Sequence, residues 1–312
     1  MLTRRRVLLA KVEASEGTPE TLTATDNPIL VKDLRVNPNV RMYERELVLP
    51  TLSLLPPIPA GATATVSFTA EVKGAGSAYS TTNRPPIAEY LRACGFAETI
   101  DTTAGAEKAI YTPASSGVPS LTIGVYEDGI VHTIAGARGT VRFSGRVGEV
   151  LLAEFEFTGV WMGVQDAALP SPSYDISNPP AMIGGQVTVD TYTPVITSFS
   201  LDIGNSVDMR EDFTSSTGYR SALITARNPR GSFDPEMTPV ATYDWFGKWK
   251  DGVSSALSVA IGNVQYNRVK FDAPNIRYAG ISEGDRNGIL TADTEFVLAM
   301  QSGDDELTIT FD

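Results

Sequence analysis

A chain of 312 residues has room for about two domains of ordinary size. Its 42% apolar and 20% charged residues suit a globular protein, and a net charge of −12 excludes an exposed nucleic-acid grip, which would be basic. One cysteine, Cys94, excludes an internal disulfide and a cysteine-rich metal site.

In chain order, Arg4, Arg5 and Arg6 precede an apolar run at 7–10 that Lys11 ends far too early for a secretion signal. No stretch reaches the ~18 apolar residues of a membrane span. The expectation is a protein kept in the cytoplasm, or released by a route that needs no signal, with no membrane partner. Residues 6–12 read as a strand. Residues 13–27, rich in Thr, Glu, Gly and Pro, read as a loop or arm that packs on a neighbour. Residues 42–49 read as a strand running into the proline turn at 56–59. From 62 to 73 the chain alternates, with Ala64, Val66, Phe68 and Ala70 on one face, which predicts a half-buried strand. A short helix is predicted over 86–94, because Pro86 suits its first turn and Gly95 its stop. Its apolar stripe is Ile87, Tyr90, Leu91 and Cys94, which makes Cys94 a buried side chain. Strands at 121–126 and 130–135 follow, and then a hairpin at 139–161 around a glycine-rich turn.

Residues 165–180 are a linker by composition. After it the order recurs: strands at 194–204 and 219–226, a helix starting near Pro239 with Tyr243 in the place of Tyr90, strands at 256–261 and 268–271, and a second hairpin from 275. Val141, Arg142 and Phe143 answer to Ile276, Arg277 and Tyr278 at an offset of 135, while Ala153, Glu154 and Glu156 answer to Ala292, Asp293 and Glu295 at 139. That places four extra residues in a longer second turn. The pattern predicts a duplicated, mainly antiparallel β protein (α+β, or a β-sandwich with one helix per copy).

No phosphate-loop or dinucleotide fingerprint is present. His132 is the only histidine and lies within a strand pattern, so neither a histidine zinc site nor a Ser-His-Asp triad is expected. Residues 284–288 and 228–231 read as turns rather than as calcium or phosphate loops. No catalytic, cofactor or metal residues are assigned, and the protein is not expected to be an enzyme. One constellation remains: Glu154 with Glu156, and Asp293 with Glu295, each two residues apart and therefore on one strand face, opposite the core-facing Ala153, Phe155 and Phe157, and readable either as a wall that something acidic slides past or as a plain solvated face.

These residues resemble the major tail tube proteins of long-tailed, siphovirus-type bacteriophages. The resemblance rests on LLAKVEASEGTPE at 8–20, PPIAEYLRACGF at 85–96, AEFEFTGVW at 153–161, ITARNPRGSFDPE at 224–236 and DWFGKW at 244–249. It implies two tandem tail-tube-like β-sandwich domains, each with one short helix and a long hairpin that contributes to an oligomeric β-barrel. The expected layout is an N-terminal arm and first strand over 1–41, a first tube domain over 42–164, the linker over 165–180 and a second tube domain over 181–312. The implied role is a structural virion protein that polymerises as stacked rings around a channel for DNA passage, with Glu154, Glu156, Asp293 and Glu295 facing the lumen. Because the chain carries two copies, three chains would form a pseudo-sixfold ring, a homotrimer; a hexamer with one copy lining the channel is the alternative. The N-terminal arm and the loops at 97–119 and 206–218 would bridge rings. Partners implied are the chain itself, the tail tip, tape measure and tail terminator proteins, and viral DNA in transit without specific binding. Assembly would occur in the host cytoplasm and the destination is the virion tail. The competing reading is a monomeric β-sandwich binding module, carbohydrate-binding or adhesin-like, with Trp245 and Trp249 as exposed aromatics.

Overall fold

Alternating small and β-branched residues carry most of the chain into strands. The computed structural model describes residue 2 and residues 4–312, so positions 1 and 3 of the N-terminal arm lie outside the described residues. In order come β1 (Arg6–Val12), β2 (Val31–Tyr43), β3 (Ile58–Glu71), α1 (Ala88–Ala93), β4 (Phe96–Asp101), β5 (Lys108–Pro113), β6 (Leu121–Glu127), β7 (Ile130–Arg146), β8 (Leu152–Asp166) and β9 (Gln186–Val189). They are followed by β10 (Ser198–Asp202), β11 (Asn205–Glu211), β12 (Tyr219–Arg227), β13 (Arg230–Phe233), α2 (Trp245–Asp251), β14 (Ser255–Ile261), β15 (Val269–Arg286), β16 (Ile289–Leu298) and β17 (Thr308–Phe311). With 51% of residues in strands and 4% in helices, the protein is mainly β, of the sandwich type, and its sheets do not close into a barrel.

The pairings repeat. In the first half β1 pairs β6, β6 pairs β7, β7 pairs β8, β8 pairs β3 and β3 pairs β2. In the second half β9, β14, β15, β16, β13 and β10 follow in the same order. The hairpin β2–β3 recurs as β10–β11 with β12–β13 at a constant offset of 165: Val40↔Ala62 and Arg41↔Gly61 match Asn205↔Arg227 and Ser206↔Ala226. Both then carry a bulge at the same step, before Met42↔Pro59 and Val207↔Ile224. The halves are joined edge to edge by β10 on β7 and by β5 on β17.

The registers correct one expectation about the long hairpins. Val141 stands opposite Phe155 and Ile281 opposite Thr294, so Val141 answers to Ile281 rather than Ile276. The second turn is also the shorter one: Asn287 and Gly288, both at positive φ (54° and 84°), close it in two residues, the Asn-Gly geometry whose twist suits a tight hairpin. The expected four extra residues therefore disappear: the two hairpins correspond at offsets of 139–140, and each carries a bulge toward its open end.

Each half stacks its helix on one face of its sheet. Tyr90 of α1 packs on Phe68, Phe155 and Phe157. Trp245, not Tyr243, takes that place in the second half, against Phe233 and Tyr278. The helix near Pro239 begins later than predicted, at Trp245, because Asp244 caps it: its carboxylate accepts from Gly247 N at 2.7 Å. The stripe Ile87, Tyr90, Leu91 and Cys94 is fully buried.

Three loop expectations change. The arm at 13–27 lies on its own chain: Glu13 accepts from Ser120, Thr122 and Gly136, and Glu20 N donates to Thr122. Residues 97–119 are mostly the hairpin β4–β5, whose alternating buried Ala109, Tyr111 and Pro113 face the core. Residues 206–218 are half strand, leaving 212–218 as the tip. The exposed loop is 44–57, where Val48, Leu52 and Leu54 are more than 90% exposed.

Candidate lumen-facing surface

One sheet face carries all four singled-out carboxylates. Along β8, Glu154 and Glu156 are exposed between buried Ala153, Phe155 and Phe157; along β16, Asp293 and Glu295 are exposed between buried Ala292, Thr294 and Phe296. The period of two does this: apolar alternates go to the helix side and polar alternates away from it. Cross-strand partners continue the polar face. Glu156 stands by Ser67 and Thr140, Glu154 by Thr69, Glu295 by Ser232, and Asp293 by Ser282. Because β8–β7–β10–β13–β16 is an unbroken run of pairings, both carboxylate pairs belong to one surface.

That surface is hollowed in two places. A concavity of about 300 Å³ is lined by Glu154, Glu156, Asp202, Arg142 and Arg35. Another of about 690 Å³ is lined by Asp293, Glu295, Ser232, Ser282 and Arg146. Neither gathers the converging polar groups and apolar walls of a small-molecule site. Among the described residues no group of three His, Cys, Asp or Glu side chains could hold a metal.

Arginines are interleaved with the acids, which reading along single strands misses. One row across the sheet runs Glu154, Arg142, Asp202, Arg230, each opposite the next in register. Arg142 thus has a carboxylate on either side, an arrangement that offsets its positive field. No ion pair within 4.0 Å forms in this row among the described residues, and Glu154 accepts instead from Ser144 Oγ at 3.4 Å. The face is therefore polar and finely mixed in charge, with its paired carboxylates unaccompanied on their own strands.

On the same face, lining the larger hollow, a second constellation fixes the strands. Asp234 accepts from Thr197 N at 2.8 Å and Ser198 N at 2.7 Å, and from Arg286 at 3.2 Å, joining the start of β10 to the end of β15. Burial alone would raise its carboxyl pKa; the hydrogen bonds from Thr197 and Ser198 outweigh that and hold it below the ordinary value. Of the aromatics proposed for a binding module, Trp245 is 1% exposed and packs the core, while Trp249 is 39% exposed.

Compared with known proteins, residues 3–312 match the family described as phage tail tube protein. No curated protein matches the chain.

Proposed function

Starting from the chain's membership of the phage tail tube protein family, which spans nearly its whole length, we propose that it polymerises as stacked rings whose channel passes DNA. A structural role in the tail of the virion follows from the family itself; the ring, its symmetry and the lining are our reading. The observation that carries it is the run β2–β3–β8–β7–β10–β13–β16–β15, eight strands with a polar hollowed face, open along the outer edge of β2 at one end and along β15 beyond Ile276 at the other. Open edges of this length invite pairing, and ring closure removes them. Three chains supply 24 strands, whose untilted perimeter of about 115 Å gives a diameter of about 37 Å, against the 16–18 strands that already leave an aqueous channel in porins. Both halves share one face, which favours the pseudo-sixfold trimer over a hexamer lined by one copy.

In this reading Glu154, Glu156, Asp293 and Glu295 face the lumen. They repel passing phosphate, and the flanking acids keep Arg142 and Arg230 from gripping it. In the same reading the two tube domains meet at the linker 165–180, and the repeated pairings support counting β1 and β2 with the first. The exposed 44–57 loop, rather than 97–119 or 206–218, is the element for ring-to-ring contact. Tail tip, tape measure and terminator proteins are the partners at the tube's ends and core, with assembly in the host cytoplasm. Negative-stain images of the concentrated protein test the reading: rings or tubes are expected, and compact monomers under every condition would contradict it.

A further inference from the structure

The halves are built alike, yet one contact is made in only one of them. On the first half, β10 pairs the edge of β7 from Ser198↔Arg146 to Asp202↔Arg142. The same hairpin then bends over the helix side, where β11 and β12 pack across β7 and β8. Asn205 Nδ2 donates to Cys94 O at 2.7 Å and Gly139 O at 2.9 Å. Ile224 Cδ1 stands 3.2 Å from where a Cβ on Gly95 would sit, closing off the end of α1.

On the second half these places are uncovered. The corresponding edge of β15 is paired by β14 only as far as Ile276, and beyond it no strand adds to that edge among the described residues. At the end of α2, Arg277 Nη1 alone among the described residues outside the helix end itself comes within 4 Å of a Cβ built on Gly252. Phe246, Trp249 and Val253 are exposed there, an apolar patch of the kind that marks an interface.

The hairpin that fits is present, at the wrong end. From Arg35↔Ser67 to Tyr43↔Ile58, β2–β3 matches β10–β13 at the offset of 165, the Arg41–Met42 bulge included, and its outer edge is unpaired. Val40, Met42, Tyr43 and Ile58 are exposed along it. Seven strand spacings, about 34 Å, separate it from β15 of its own chain, so only a second copy can bring the two together.

We propose that β2–β3 of one copy seats on β15 and α2 of a neighbouring copy in the register that β10–β13 uses on β7 and α1. Arg35 then stands opposite Gly284 and Asn37 opposite Ser282, with the Met42–Pro59 bulge over Gly252. Pro38 falls where Ile203 N donates to Val141 O, so the new ladder is one bond shorter than its template. The contact rests on the ring assembly proposed above and specifies the surfaces that close it.

The test is disulfide trapping in the full chain with N37C and S282C together, both at exposed positions, while the native Cys94 is buried. Facing antiparallel residues lie about 4.5–5.5 Å apart, within disulfide range. Mild oxidation of assembled protein should give covalent oligomers up to the closed trimer. N39C with S282C, out of register by about 7 Å, should link at least tenfold less. Rings in which N37C/S282C stays unlinked, or N39C/S282C links better, overturn the register and leave the ring reading standing. Protein that forms no rings and no links overturns both. An independent variant, F246D with W249D, should keep the monomer's circular dichroism and raise the concentration needed for assembly at least tenfold; unchanged assembly overturns the α2 contact.

Discussion

Glu154 and Asp293 stand at matching places on β8 and β16, each exposed between buried neighbours. That much was legible in single-strand alternation, since a period of two separates the helix side from the polar side without any knowledge of partners. Their arginine neighbours were not legible. Arg142 meets Glu154 through a hairpin, but Asp202 and Arg230 reach the same row from strands 60 to 90 residues away, and no local pattern announces such a pairing. The row has a consequence for mutation. Changing Glu154 and Asp293 to Lys leaves the buried side untouched, so tubes should form; it also leaves Arg142 with only one flanking acid, and DNA passage should slow. Timed DNA release from phage carrying both changes measures this, and release indistinguishable from the parent would contradict the lining.

Among the elements, the helices and long hairpins follow from the sequence, while their ends and equivalences do not. Pro239 marks a turn, and the helix waits for the capping carboxylate of Asp244. The β2–β3 repeat escapes a sequence reading because β2 is an edge strand, exposed almost throughout and therefore without alternation. Its offset of 165 also differs from that of the long hairpins, since β4 and β5 lengthen the first half between them. The clamp at Asp234 holds β10, β13 and β15 together and yields a pH prediction. Its carboxyl pKa is depressed in the folded chain, so its stabilisation is fully present above the unfolded value of about 3.9 and is lost as pH falls through the lowered folded value. Asp234→Ala removes the acceptor for two backbone donors and should cost about 1–3 kcal/mol at neutral pH. The variant should also lose less stability than the parent between pH 5 and the acid limit, read by denaturant unfolding; equal acid sensitivity would contradict the assignment.

At the scale of the whole molecule, one chain is two copies of a pairing scheme joined by β10 on β7. Under the proposed assembly the join is an example, inside the chain, of how one unit would meet the next, with the edge of β2 and the edge of β15 beyond Ile276 as its separated halves. The chain's sheets do not close into a barrel, and in the proposed assembly neighbouring copies would close them. The same proposal sets the arithmetic of the ring, because each chain would contribute two units and one finished seam. The rotational symmetry of the assembled tube, measured by cryo-electron microscopy, therefore tests the account most directly. Three chains per ring, with both long hairpins of each chain in the channel wall and Glu154, Glu156, Asp293 and Glu295 pointing inward, is the predicted result. Six chains per ring with only one hairpin of each in the wall, or a wall formed by the opposite sheet face, would contradict it.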